Sequence, residues 1–197
     1  MTRIARFSRL CFPALGAALL PSLALAHTGL DHAHGAASGF VHPFGGLDHI
    51  LAMVGVGLWA SQLGGRAIWA LPLGFMAALA LGGGLAVAGV PMPLVEPGIL
   101  GSLVAIGLAV ALAWRVGAAA GFALVAAFAL FHGHAHGAEM TPGASVLGYA
   151  TGFLASTALL HAAGVGLGLA AHRLGHPALT RGAGAAISAA GVALMLG

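Results

Sequence analysis

Lysine is absent from this chain of 197 residues, and all seven basic side chains are arginines. Cysteine occurs once, at Cys11, and the acidic residues are only Asp31, Asp48, Glu96 and Glu139. Charged residues make up 6% of the chain, where a soluble domain carries roughly a quarter. So few charges cannot cover a folded surface in water, which excludes an ordinary soluble domain. A single cysteine excludes a disulfide framework and a thiolate metal cage. What is present instead is 60% hydrophobic residues, a mean hydropathy of +1.03, 33 glycines and eleven histidines. This composition reads as an all-α integral membrane protein.

The first 26 residues differ in kind from the rest. Arg3, Arg6 and Arg9 precede the apolar run "LCFPALGAALLPSLALA", which ends in Ala24-Leu25-Ala26. A basic start, an apolar stretch and a small-x-small end predict a cleaved signal peptide over residues 1–26. Cleavage makes His27 the new N-terminus and removes Cys11, leaving a thiol-free membrane domain over 27–197 with a short His-rich periplasmic segment at its start. It also removes three of the seven arginines. The remaining four balance the four carboxylates, so the high overall pI gives no reason to expect nucleic acid as a partner.

A bilayer core needs about 20 apolar residues per helix. Apolar runs and their breakers predict a six-helix transmembrane bundle, with spans near 47–64, 67–90, 98–115, 117–137, 144–171 and 180–197. The glycines suit helix backbones that approach closely in lipid, and Gly82-Gly83-Gly84 mark an expected kink or unwound point. If His27 emerges outside the cytoplasm, the first, third and fifth connections lie inside. They hold Arg66, Arg115, Arg173 and Arg181, every arginine of the cleaved chain. That is the positive-inside pattern, and it places the protein in a bacterial inner membrane with both mature termini periplasmic. Trp59, Trp69 and Trp114 fall at inner span ends, where interfacial indoles are expected.

This topology puts most histidines at the outer ends of spans, in two clusters. In "FHGHAHGAE", residues 131–139, helical geometry sets His136 about 40° from His132 and Glu139 about 20° away on the other side. These three share a face, and His134 points nearly opposite. Two imidazoles and a carboxylate on one face form half a site for a divalent transition metal. A polar helix end in the headgroup layer is the structural alternative. In "HPFGGLDHILAM", residues 42–53, Pro43 biases His42 toward extended backbone. Asp48 sits where an N-cap belongs, but capping leaves His42 and His49 unexplained, and ligation by all three accounts for them together. Met53 is expected to pack. His161 stands alone deep in the fifth span, either as a satisfied core histidine or as a deeper station on a metal path. Glu96 opens the third span, and His27 with Asp31, His32 and His34 forms an exposed group capable of weak metal capture.

"HPFGGLDH" followed by "AMVGVGLWA", and then "FHGHAHGAE", resemble the HupE/UreJ family of hydrogenase and urease accessory membrane proteins. The first motif is His-x5-Asp-His at His42, Asp48 and His49. The second is Phe-His-Gly-x-Ala-His-Gly-x-Glu, running from Phe131 to Glu139. The resemblance extends over the whole chain. It implies a secondary permease, not an enzyme, that moves Ni2+, or in some members Co2+, toward metalloenzyme assembly and its maturation proteins. It also implies metal contacts at His42, Asp48, His49, His132, His136 and Glu139, with Glu96 and Phe75 in equivalent places. No cofactor is expected to be permanently bound, the metal being cargo. The rival reading is an intramembrane zinc hydrolase, for which Ser156 and His161 make a sparse pair. A haem-binding span pair fits less well, because the histidines cluster at helix ends.

The one-sided arginines give a direct test of orientation. Alkaline phosphatase fused after Gly197 is expected to be active, and a cytoplasm-dependent reporter at the same position silent. The reverse result would overturn the topology.

Overall fold

In a bilayer every backbone N–H and C=O must be satisfied within the protein, which a helix does segment by segment. In the computed structural model, which describes residues 35–140, 143 and 145–197, every regular element is helical. The elements are α1 (Ala36–Val41), α2 (Leu47–Leu63), α3 (Ala67–Val87), α4 (Val95–Ala111), α5 (Ala118–Ala138), α6 (Val146–Arg173) and α7 (Pro177–Leu196), with a 3-10 turn at His42–Gly45. Helices α3, α5, α6 and α7 are long and apolar enough to cross a membrane, so the chain is a multi-pass membrane protein. The six expected spans map by position onto α2 to α7. At 1.5 Å per residue, the 17-residue helices α2 and α4 are each only about 26 Å long. Helix α2 is preceded by α1 and the 3-10 turn, which meet it at 90° to form a bent apolar pair, either a broken span or a re-entrant loop. The expected leader over 1–26 and the group at His27, Asp31, His32 and His34 lie outside the described residues.

Helix α2 runs through the middle of the bundle. Its residues Ala52, Met53, Val56, Trp59 and Ala60 are fully buried. Around it the other helices pair off, α3 with α5, α4 with α7, and α6 with both α1 and α2. Each pairing is made where a glycine lets one backbone reach another. A Cβ on Gly133 would strike the Leu79 carbonyl, and one on Gly82 the Leu130 carbonyl. Gly107 faces Ser188 and Gly184 in the same way, and Gly57 faces the His161 carbonyl. The outward faces carry large apolar residues such as Leu73, Leu81, Leu159 and Leu167. Small residues inside and leucines outside are what packing in lipid favours, since lipid chains solvate leucine as well as a core does.

Several local expectations are corrected. Gly82-Gly83-Gly84 do not unwind α3, which is helical through all three; Gly82 and Gly83 serve the approach of α5. His42 is not extended before Pro43. Its φ of −53° and ψ of −47° start the 3-10 turn, and the extended residue is Gly46, at the elbow. Gly46 is therefore the N-cap of α2. Asp48 lies in the first turn, two residues past the cap position. Trp59 is no interfacial indole: it is fully buried, stacks on Trp114 and donates its indole N–H to the Trp114 carbonyl at 2.9 Å.

Gly107→Ala forces a methyl into the α4–α7 contact, and overpacking of this kind costs about 1–3 kcal/mol. Gly166→Ala, on an open helical surface, meets nothing and is expected to be neutral or slightly stabilising. Thermal unfolding in detergent should lower the midpoint for the first variant only.

Candidate metal centre

The glycine contacts that hold α5 against α3 also aim the end of α5. With Gly133 and Gly137 turned to α3, His132 and His136 face inward and are 0% and 5% exposed. The helix runs unbroken to Ala138, and Glu139 follows as its C-cap residue. From the other side, the first turn of α2 supplies Asp48 and His49, and the elbow carries His42 over them. α1 is held against α6 where Gly39 meets Tyr149 and Gly152 meets Ala36. The two sequence clusters, some ninety residues apart, thus meet at one end of the bundle.

The contacts run side chain to side chain. Asp48 Oδ1 is 2.8 Å from His49 Nδ1. The His49 ring lies 4.3 Å from that of His136 and 5.2 Å from that of His132, centroid to centroid. His42 meets His136 edge-on at 4.7 Å, and its Nε2 is 3.5 Å from Glu139 Oε2. His136 Nδ1 is 4.0 Å from the same oxygen. One donor atom from each of His42, His136 and Glu139 lies within 4.8 Å of the others. Bonds of about 2.0–2.2 Å to a shared ion set ligand atoms roughly 3–4 Å apart, so a small rotation closes this set on a cation. Arg66, Arg115, Arg173 and Arg181 lie toward the opposite end of the bundle, in or beside the connections α2–α3, α4–α5 and α6–α7. Both carboxylates here pair with imidazoles, Asp48 with His49 and Glu139 with His42 and His136.

Hydrogen bonding fixes one tautomer. Ser102 on α4 is fully buried and donates its hydroxyl proton to the Ile99 carbonyl at 2.6 Å. Its oxygen must then accept from His132 Nε2, 2.9 Å away. His132 is therefore protonated on Nε2, and Nδ1 keeps a bare lone pair. That atom is buried without a hydrogen-bond partner, as are His49 Nε2 and both ring nitrogens of His136. Buried polar atoms are nearly always paired, so this many open imidazole nitrogens in one place describes a receptacle for something that accepts lone pairs.

The remaining residues singled out in the sequence fall into different places. His134 points away from the cluster and contacts the Val90 carbonyl at 2.8 Å, tying α5 to the end of α3. Glu96 is exposed in the first turn of α4, and no contact joins it to the cluster. Phe75 is fully buried on α3, its ring touching both His132 and His161. His161 is 1% exposed and makes no hydrogen bond through either nitrogen. Met53 packs in the core. Sequence reasoning missed Ser102, whose only signal was a hydroxyl within an apolar run. It also missed Tyr149, whose ring lies 5.6 Å from that of His42.

A multi-pass helical membrane protein with an open imidazole–carboxylate cluster at one bundle end is the class that fold and site define. The family described as HupE / UreJ protein matches residues 15–194. Protein HupE of Rhizobium leguminosarum bv. viciae is 46% identical over 185 residues, covering 93% of this chain and 95% of that protein. This chain belongs to the HupE/UreJ family. No solved structure matches it.

Proposed function

We propose that the protein is a secondary permease for a divalent transition metal, Ni2+ first and Co2+ second, moving it from periplasm to cytoplasm for hydrogenase or urease maturation. The observation that carries this reading is the set of unpartnered imidazole nitrogens converging with Asp48 and Glu139 at one end of a membrane bundle. Borderline cations such as nickel favour imidazole and carboxylate together. Two anionic carboxylates complement the charge of a dication. His42, Asp48, His49, His132, His136 and Glu139 are the proposed ligand set, with Glu96 and His27 as outer captors. Exposure falls from 46% at the Glu139 side chain through 23% at His42 and 12% at His49 to 6% at His136. A cation moving along that gradient would exchange water for ligands stepwise, which avoids the cost of a bare ion in hydrocarbon. The arginine placement supports the proposed orientation, with both mature termini periplasmic in the inner membrane.

The hydrolase alternative is not favoured. Ser156 donates to the carbonyl of Phe153 on its own helix at 2.9 Å and makes no hydrogen bond to His161, so no nucleophile–base pair is assembled.

Uptake into proteoliposomes, with Ni2+, Co2+, Zn2+ and Cu2+ in competition, tests the reading directly. No uptake of any of them would overturn it. In equilibrium binding, His134→Ala should leave affinity nearly unchanged, whereas His136→Ala and His42→Ala should lower it strongly. Ser102→Ala frees the His132 tautomer and ring, and a loss of about 10–100-fold is expected, as for other groups that orient metal-binding histidines. Ser102→Thr keeps the hydroxyl and should restore most of the affinity. Equal effects of His134→Ala and His136→Ala would mean that the inward face of α5 does not hold the metal.

A further inference from the structure

Beyond the outer cluster, the core holds a second place where polar atoms lack partners. His161 on α6 is buried with both ring nitrogens free of hydrogen bonds. Thr157, one helical turn earlier on the same face, is 0% exposed, and its hydroxyl oxygen has no partner either. The other buried hydroxyls of the bundle behave differently. Ser102, Ser156 and Thr180 each donate to a carbonyl of their own helix, and Ser188 donates to the Val104 carbonyl on α4, so each is satisfied within the protein, as lipid requires. Thr157 has that option open and does not take it. Thr157 and His161 are adjacent on one helix face, and a ligand that joins them would satisfy both.

The Phe75 side chain sits next to this place. Its ring centroid lies 5.7 Å from that of His132, the deepest imidazole of the outer cluster, and 5.1 Å from that of His161, which meets it edge-on at 88°. The ring is fully buried and offers no donor atom. It therefore is an apolar neighbour of two groups of metal-binding character, the kind of side chain that can form a constriction keeping water from joining two sites.

Resting on the permease reading above, we propose that His161 and Thr157 form a second, inner station for the transported divalent cation. The Phe75 ring is the barrier that separates it from the outer cluster. A cation held by His132 and His136 would pass the ring only when it turns aside. It would then meet one imidazole nitrogen and one hydroxyl oxygen, a sparse and weak site that favours onward release.

The full-length protein in proteoliposomes and in detergent provides the test. Ni2+ affinity of His161→Ala and Thr157→Val should stay within about twofold of the parent, as for sites that do not share ligands. Ni2+ uptake should fall by about tenfold or more. Thr157→Val is nearly isosteric and removes an unsatisfied hydroxyl, so its melting temperature should hold or rise while uptake drops. A residue that only packs would not show that combination. Phe75→Ala, with Phe75→Leu as the variant that fills more of the cavity, should retain Ni2+ binding and let Mg2+ cross vesicles that the parent keeps sealed to it. If His161→Ala and Thr157→Val transport at parental rates, the inner station is refuted and the permease reading stands. Vesicles with Phe75→Ala that stay tight to Mg2+ and import Ni2+ normally would refute the barrier. If the parent itself imports no divalent cation, both readings fall.

Discussion

The approach of α5 to α3 without intervening side chains is the contact on which the candidate site depends. Gly133 against the Leu79 carbonyl and Gly82 against the Leu130 carbonyl fix the rotation of α5 about its own axis. That rotation decides that His132 and His136 face α2 and that His134 faces the end of α3. A methyl at either glycine would push the helices apart and widen the space in which imidazoles now touch. In water, burial of apolar surface would help hold such a pair together. In lipid that driving force is missing, and close van der Waals fit has to supply the association. The same residue type therefore does two jobs in α5: glycines on one side make the helix pair, and this leaves the opposite side for histidines.

The elbow before α2 follows a related logic. A straight continuation of α1 into α2 would carry His42 away from Glu139. The 90° bend at Gly46 brings the 3-10 turn back across the bundle end, and the Gly39–Tyr149 and Gly152–Ala36 contacts hold it there against α6. His42 reaches Glu139 only because three elements, α1, α5 and α6, are positioned independently of one another. The more exposed side chains, His42 and Glu139, thus come from the elbow and from a helix end, and the buried His132 and His136 from the last turns of α5. Hydration is graded across the site by which element each residue sits on.

Much of this was legible in the sequence because membrane helices are written in long apolar runs, and the interval between breakers locates them within a few residues. The shared face of His132, His136 and Glu139 was legible too, since it depends only on helical spacing. What was not legible depends on partners far away in the chain. Ser102 and His132 lie 30 residues apart on different helices, and nothing in either segment announces their hydrogen bond. Trp59 reads as interfacial from its position near a span end. Its burial is decided by Trp114, which stacks on it from the end of α4. Asp48 has the residue type and position of a cap, yet Gly46 takes that role and leaves the carboxylate free to meet His49. Gly82-Gly83-Gly84 looked like a weakness in one helix; their meaning is in the helix beside it.

The energetics of the outer cluster bear on the proposal that it receives a passing cation. Each buried polar group without a partner costs about 1–3 kcal/mol relative to a satisfied one, and this site gathers several of them. A soluble protein would fill such a place with ordered water or a permanent ion. A carrier gains from leaving the cost unpaid in the empty state, because the cargo then recovers it on arrival. The recovery must be partial, since an ion that satisfied every lone pair would never leave. Ser102 sets which His132 nitrogen carries the proton, so that Nδ1 is the one left with a lone pair. His42 and Glu139 limit the recovery by staying partly in water. Under the permease proposal, a site that leaves some polar atoms poorly satisfied even when occupied would let a cation move on.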